Sequence, residues 1–364
     1  DRGFNISDFY WYDDAAKMAA DCDCDVVIEL IGGCDGIAKQ VCENAISKGH
    51  HVVTANKALL AIHGTEIAQI SEKAGVAFAF EAAVAGGVPV VKTLRESLSG
   101  NTVSRITGIL NGTCNFILSA MRTSGRSFDE VLVEAQQFGY AESEPTLDVD
   151  GIDTAHKLAI LSSLAFGTEL NFQDVHVEGI RSITAEDIAF ADELGFRIKL
   201  LGIAEKTEDG IRQRVHPALV PMSAPISATE GVQNGVSIEG DFLGSVMLEG
   251  AGAGAGPTAS AVVADLVDIA CGRTLPLLGV GTDVLTRSTK NPMENHKGEY
   301  FIRIMVYDKP GVLADIAAIL RDQGISIEGV IQQMRSSTVA VPVVVTVHET
   351  TERLMNSAIK EIAN

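Results

Sequence analysis

Three short apolar runs near the start of the chain constrain the fold more than any other feature. DVVIELIGG (25–33), HVVTAN (51–56) and VAFAFEAAV (76–84) are nearly continuous in apolar, often β-branched residues. Helical patterns separate them, one running through Ala45 and Ile46 and one over Leu59–Lys73. Apolar strands that alternate with helices indicate a parallel sheet covered on both faces. Residues 1–84 therefore read as the later part of a doubly wound, α/β nucleotide-binding domain. Such a domain ordinarily opens on a strand and a G-x-G-x-x-G turn, and no such element precedes Asp25. The expectation is that about fifty residues, one or two βα units, lie upstream of Asp1.

From 85 to 285 the pattern changes to α+β, as in a substrate and subunit-contact domain. VSRITGIL (103–110) reads as a strand, SFDEVLVEAQQFG (127–139) as a helix stopped by Gly139, and GIDTAHKLAILSSLAFG (151–167) as a strongly apolar helix. Strand-like stretches follow near 196–204 and 211–220. PTASAVVADLVDIACG (257–272) is a helix with Pro257 near its start and Gly272 past its end, placed to fold back on the first domain. A polar stretch, 286–298, reads as a linker. Residues 299–364 then give the order β-α-β-β-α, with Pro342 inside the last strand. A ferredoxin-like unit needs one more strand, so about 15 further residues are expected beyond Asn364.

The richest chemistry lies in GYAESEPTLDVDGIDTAHK (139–157). It places Glu142, Glu144, Asp148, Asp150 and Asp153 in one short loop and helix start. Asp153 and Lys157 are four apart and share a helix face, and the rest of that helix is apolar nearly all round. A charged pair on a buried helix is costly unless it is paired or used. It reads either as a structural ion pair at a helix N-terminus or as a lysine poised as general acid beside carboxylates that hold a substrate ammonium. Asp148, Asp150 and Asp153 do not match the spacing of a twelve-residue calcium loop. TANKALL (54–60) puts Asn56 and Lys57 at the C-terminal end of a strand, where open α/β sheets bind ligands; the bland alternative is an exposed lysine at a helix start. Gly32 and Gly33 end another strand and allow close backbone approach to a ligand. GAGAGAGP (250–257) leads into a helix and reads either as a phosphate- or nicotinamide-facing turn or as a flexible linker.

Composition narrows the partners. Lys and Arg total 28 against 48 Asp and Glu, a formal net charge of −20, and a surface that negative repels nucleic acid and anionic membrane. No run of 18 or more apolar residues is present to span a membrane. The six cysteines form no repeated C-x-x-C pairs, which favours reduced thiols in a cytoplasmic protein; Cys22-x-Cys24 alone is a weak metal signal.

Taken together, ELIGG, TANKALL, FEAAVAGGVP, GILNGTCNFIL, GYAESEPTLDVDGIDTAHK and GAGAGPTASAVVAD, in this order, resemble the bacterial homoserine dehydrogenases over essentially the whole chain. The tail, with DKPGVL at 308–313, resembles an ACT domain, an amino-acid-sensing module. The resemblance implies reversible reduction of aspartate 4-semialdehyde to homoserine with NADPH or NADH, on the route to threonine, methionine and isoleucine. It implies that Lys157 donates the proton, that Asp153 and Glu142 bind homoserine, and that Lys57 contacts cofactor and substrate. Gly139 and Gly254, with Gly32, Gly33 and Asn56, fall at cofactor-facing positions. Glu81, Val84, Gly86 and Val88 match a monovalent-cation (Na+) site. An amino-acid effector, threonine, and a homodimer or homotetramer are further expectations. Cys114 stands where many relatives carry a hydroxyl residue. Two rival readings stay open: an acylating semialdehyde dehydrogenase using Cys114 or Cys34 with a paired histidine, His63 and His156 being nearest Cys114 in sequence, and a non-catalytic amino-acid sensor built on the ACT unit.

Overall fold

The computed structural model describes residues 5, 7–333, 336 and 338–363, which form three sheets. The first is built from α1 (Ala15–Asp21), β1 (Val26–Glu29), α2 (Ile37–Ser47), β2 (His51–Thr54), α3 (Lys57–Ala74) and β3 (Phe78–Ala79). Its strands are parallel in the order β1-β2-β3, with Val27 beside Val52 and Val53 beside Ala79. Val27, Val52 and Val53 are buried, as the unbroken apolar runs require. Helix α3 begins two residues before the expected Leu59, because the Asn56 side chain accepts the Leu59 N–H at 3.0 Å and caps it. The strand expected over 76–84 is much shorter. After Ala79 the chain turns into a 3-10 segment, Glu81–Ala83, because the Glu81 carboxylate reaches the N–H groups of Val91 (3.0 Å) and Lys92 (2.8 Å).

The second body runs through α4 (Val90–Lys92), β4 (Val103–Ile109), α5 (Gly112–Ser124), α6 (Phe128–Gln137), α7 (Thr146–Val149), α8 (Ile152–Phe166), β5 (His176–Val177), α9 (Ala185–Glu193), β6 (Phe196–Thr207), β7 (Gly210–Pro221), β8 (Gln233–Gly240), β9 (Gly244–Ala251) and α10 (Ala255–Ala270). Its six strands lie in the order β5-β7-β6-β4-β8-β9, antiparallel except for β5 on β7. Helices α5, α8 and α9 pack on this sheet, and α8 also packs against α3, joining the two bodies. Gly64 makes that junction close, since a Cβ there would overlap Leu170 Cδ1. Helix α10 returns to the first sheet: Ala261 and Val262 pack with Val53, Ala79 and Ala82. Asp265 then accepts the Glu81 N–H at 2.8 Å and pairs with Lys92 at 3.2 Å.

The third body comprises β10 (Lys297–Val306), α11 (Val312–Asp322), β11 (Ile327–Ile331), β12 (Val341–Thr351) and α12 (Glu352–Ile362), with antiparallel order β10-β12-β11. Met334 and Asn364, both within the expected 299–364 unit, lie outside the described residues. The two helices bury Ile316, Leu320, Met355 and Ala358 against Val343, Val345 and Val347. Pro342 is tolerated because β12 pairs there with β10 alone; β11 begins its pairing at Val344. The polar stretch before β10 runs along β7, with the Ile211 N–H donating to Thr289 O (3.0 Å) and the Asn291 N–H to Ile211 O (3.1 Å). Among the described residues no helix is long and apolar enough to cross a membrane.

Candidate active site

The site centres on the carboxylate of Asp153, in the first turn of α8 and only 8% exposed. Lys157, one turn on, donates to Asp153 Oδ2 at 2.7 Å, and Lys57, from the start of α3, lies 3.3 Å from Oδ1. Asn111, in the β4–α5 junction, donates from Nδ2 to Asp153 Oδ2 (2.9 Å) and to Asp148 Oδ1 (2.8 Å), while its Oδ1 caps α5 by accepting the Cys114 N–H at 2.8 Å. Lys157 also donates to Leu110 O at 2.7 Å. Burial alone would raise the pKa of Asp153. The Lys157 and Lys57 charges, with hydrogen bonds from Lys157 and Asn111, outweigh it and hold the carboxyl well below the usual range. Asp148 goes the other way: burial pushes it up despite the Asn111 hydrogen bond, and the Asp153 charge adds to the rise.

A second network fixes the strand edge beside this cluster. Glu29, buried at the end of β1, accepts the N–H groups of Ile31 (2.6 Å) and Gly32 (3.1 Å) on Oε1 and the Thr54 hydroxyl (2.6 Å) on Oε2. The Thr54 oxygen accepts the Asn56 N–H at 3.0 Å, and Asn56 Nδ2 donates to Gly33 O at 2.8 Å. The loops after β1 and β2 are thus tied together, and Lys57 leaves the second of them. Gly32 and Gly33 hold φ of 86° and 82°, and a Cβ on either would meet nothing within 4 Å, so the space beside the paired glycines is open.

Not every expected residue joins the cluster. Glu142 is exposed; its main-chain carbonyl accepts from Gln136 Nε2 at 3.0 Å. Gly139 (φ 74°) follows the end of α6 in the same loop, whose Tyr140 carbonyl accepts the Thr113 hydroxyl at 2.5 Å. Gly254 (φ 110°) is the residue before α10. The 84–88 loop packs beside it, with the Gly87 N–H donating to Ala251 O at 2.9 Å. In that loop Val84 and Val88 are buried, and the Val88 carbonyl accepts the Val90 N–H at 2.7 Å. A Cβ on Gly86 would stand 2.5 Å from Gly252 O.

Three contributors carry no role in the sequence reading: Asn111, Glu29 and Thr54. Asn111 had a legible signal, an Asn between a strand and an apolar helix, which is the usual capping position. Glu29 and Thr54 had none, because each is the last residue of an apolar strand. The thiols do not suit nucleophilic catalysis. Cys114 is fully buried, which pushes its thiol well above the usual value, and it donates to Asp148 O at 3.2 Å. Cys34 is raised mainly by its hydrogen bond to Asp35, which also holds His63 at 2.8 Å. His156 packs on Phe172, ring centroids 4.5 Å apart, and burial holds it below its usual value.

Comparison with known proteins bears directly on this geometry. The sequence model described as homoserine dehydrogenase matches residues 89–267, that of the homoserine dehydrogenase NAD binding domain matches 8–81, and that of the ACT domain matches 300–364. The homoserine dehydrogenase of Pseudomonas aeruginosa is 48% identical over 353 residues, covering 95% of this chain and 81% of that protein. The chain belongs to the homoserine dehydrogenase family. It is accordingly a nicotinamide-dependent oxidoreductase acting on a CH–OH group. The crystal structure of a homoserine dehydrogenase from Thiobacillus denitrificans superposes with a TM-score of 0.90 at 46% identity, covering 96% of this chain and 80% of that one. A hyperthermophilic archaeal homoserine dehydrogenase in complex with NADPH has a TM-score of 0.65 at 28% identity, covering 73% and 78%.

The depressed Asp153 gives a pH prediction for this family member. Its folded-state value lies below the unfolded one, so its contribution is present above about pH 4 and is lost as pH falls through the folded value. Asp153→Asn should therefore lower the thermal midpoint at neutral pH and flatten the acid limb of the midpoint–pH curve. Parallel curves for the two proteins, read by scanning calorimetry, would refute the assignment.

Proposed function

We propose that the chain interconverts L-homoserine and L-aspartate 4-semialdehyde with NADP or NAD, and that Lys157 is the proton donor. The observation that carries this is the Lys157 ammonium, anchored by a carbonyl (Leu110) and a carboxylate (Asp153), each at 2.7 Å. Two of its three N–H groups are used there, and the third is left for a substrate oxygen. The nicotinamide, when bound, supplies or accepts the hydride at the substrate carbon. Gly32 and Gly33, with open space beside them, and Asn56, Lys57, Gly139 and Gly254 are the residues assigned to hold it. As hydride reaches the aldehyde carbon, the developing alkoxide takes its proton from Lys157, whose charge also stabilises that oxygen beforehand. Asp153 keeps Lys157 in place and, with Glu142, binds the substrate ammonium; Lys57, 3.3 Å from Asp153 Oδ1, contacts cofactor and substrate. The assignment divides the chain into 1–84 for cofactor, 85–285 for substrate and subunit contact, 286–298 as the connection and 299–364 as the regulatory domain.

Lys157→Ala should lower turnover of L-homoserine by on the order of a hundredfold or more, with little change in KM. Turnover that survives the substitution, or its absence in the parent with both NADP and NAD, would sink this reading.

A monovalent cation such as Na+ is assigned to Glu81 with the carbonyls of Val84, Gly86 and Val88. One carboxylate with backbone oxygens is a hard donor set. The buried Glu81 carboxyl, pushed up to about 7 by burial despite its two backbone hydrogen bonds, would be relieved by a positive ion. Exchanging Na+ for choline at constant ionic strength should lower the thermal midpoint of the parent and not of Glu81→Gln; equal responses would remove the site.

Regulation by an amino acid, threonine, through residues 299–364 rests on the ACT match. A homodimer or homotetramer is supported by Val263 and Val267, which α10 leaves about half exposed. Six free thiols accord with a reducing, cytoplasmic location. Threonine should change the rate or the thermal midpoint, and sedimentation should report a closed oligomer; a monomer indifferent to threonine would overturn both.

A further inference from the structure

At the far end of the first sheet from the active site, the start of β1 and β2, three soft ligands converge. Cys22 closes α1, Cys24 lies in the link from α1 to β1, and His50 lies in the link from α2 to β2. The two sulfurs are 2.8 Å apart, and both fall with a ring nitrogen of His50 inside a sphere of mutual separations within 4.8 Å. All three side chains are half-buried, so an ion can enter and still be partly shielded. The backbone fixes two of them directly: the Cys22 N–H donates to Met18 O at 2.9 Å, and the His50 N–H donates to Ala45 O at 3.0 Å. Asn44 of α2 donates to Ala16 O of α1 at 2.9 Å, locking together the two helices that lead into the ligands.

We propose that Cys22, Cys24 and His50 form a binding site for a thiophilic divalent cation of the Zn2+ class. Two thiolates and a neutral imidazole are the ligands such an ion prefers, at a coordination number that leaves one position for water. On binding, each thiol releases its proton to solvent, and two thiolate charges cancel the charge of the ion, so the site becomes electrically neutral. Asp21, Asp23 and Asp25 interleave the cysteines and add a negative field that attracts the cation. Such an ion would clasp the α1–β1 link to the α2–β2 link at the N-terminal edge of the first sheet, away from Gly32 and Gly33.

The test is anaerobic titration of the fully reduced chain with Co2+, followed by Zn2+. One equivalent of Co2+ should bind with thiolate-to-metal charge-transfer absorption, be displaced by Zn2+, and raise the thermal midpoint. Cys22→Ser and Cys24→Ser should abolish the charge-transfer band and weaken binding by on the order of a hundredfold. His50→Asn should weaken binding while keeping the band, and Cys34→Ser should change nothing. Absence of charge-transfer absorption in the parent, or a band of equal strength in Cys22→Ser and Cys24→Ser, overturns the proposal.

Discussion

A single buried carboxylate organises this molecule. Asp153 sits where the N-termini of α3 and α8 meet, and both helix dipoles favour a negative charge at that point. Burying the charge is costly unless every lone pair is used. Here Lys157, Lys57 and Asn111 meet three of its acceptor sites, and they come from α8, α3 and the end of β4. The ion cluster is therefore also the joint between the first and second sheets. Loss of the carboxylate would leave two ammonium groups facing each other and the Asn111 amide short of an acceptor. Close packing of α3 across Leu170, which the absent side chain of Gly64 permits, holds the joint shut.

Around that joint, backbone and side-chain hydrogen bonds do the aiming. Leu110 O and Asp153 fix the Lys157 ammonium between an uncharged acceptor and a charged one, both at 2.7 Å. Asn111 spends its oxygen on the cap of α5 and its nitrogen on two carboxylates, so the helix start and the acid pair cannot shift independently. Glu29 plays the matching part at the end of β1, gathering two N–H groups of its own loop and a hydroxyl of the next strand. Both networks lie at C-terminal ends of strands, where backbone and side-chain groups are free to turn toward a ligand.

The third sheet is attached through charge and backbone rather than a shared apolar core. Arg303 of β10 donates to Asp187 at 2.6 Å, and Asp187 also closes the capping box of α9 with Thr184. Helix α9 packs on β6, whose neighbour β4 ends beside Leu110. The Glu352 N–H donates to His296 O at 2.9 Å, which ties α12 to the polar segment before β10.

Much of this was legible in the sequence. Period and composition identify the parallel sheet, the buried helix over 151–167 and the β-α-β-β-α order of the last unit, because strands buried on both faces must be apolar throughout. The Asp153–Lys157 pair follows from helical spacing alone. Other features depend on contacts between residues far apart in the chain. The expected strand over 76–84 fails because Glu81 folds back onto Val91 and Lys92, a contact no local pattern encodes. The polar segment is pinned to the start of β7 at Thr289 and Asn291 instead of hanging free. Lys57 and Asp153, 96 positions apart by their numbers, become partners only when α3 and α8 pack. Glu142, close in sequence to the other acids of the 139–157 stretch, stays exposed in the loop after Gly139. The sequence by itself determined the type of the long periodic segments and which side chains can do chemistry, since those follow from local periodicity and residue type. Tertiary structure alone decided which of them meet, because a buried charge finds its partners through the packing of whole helices.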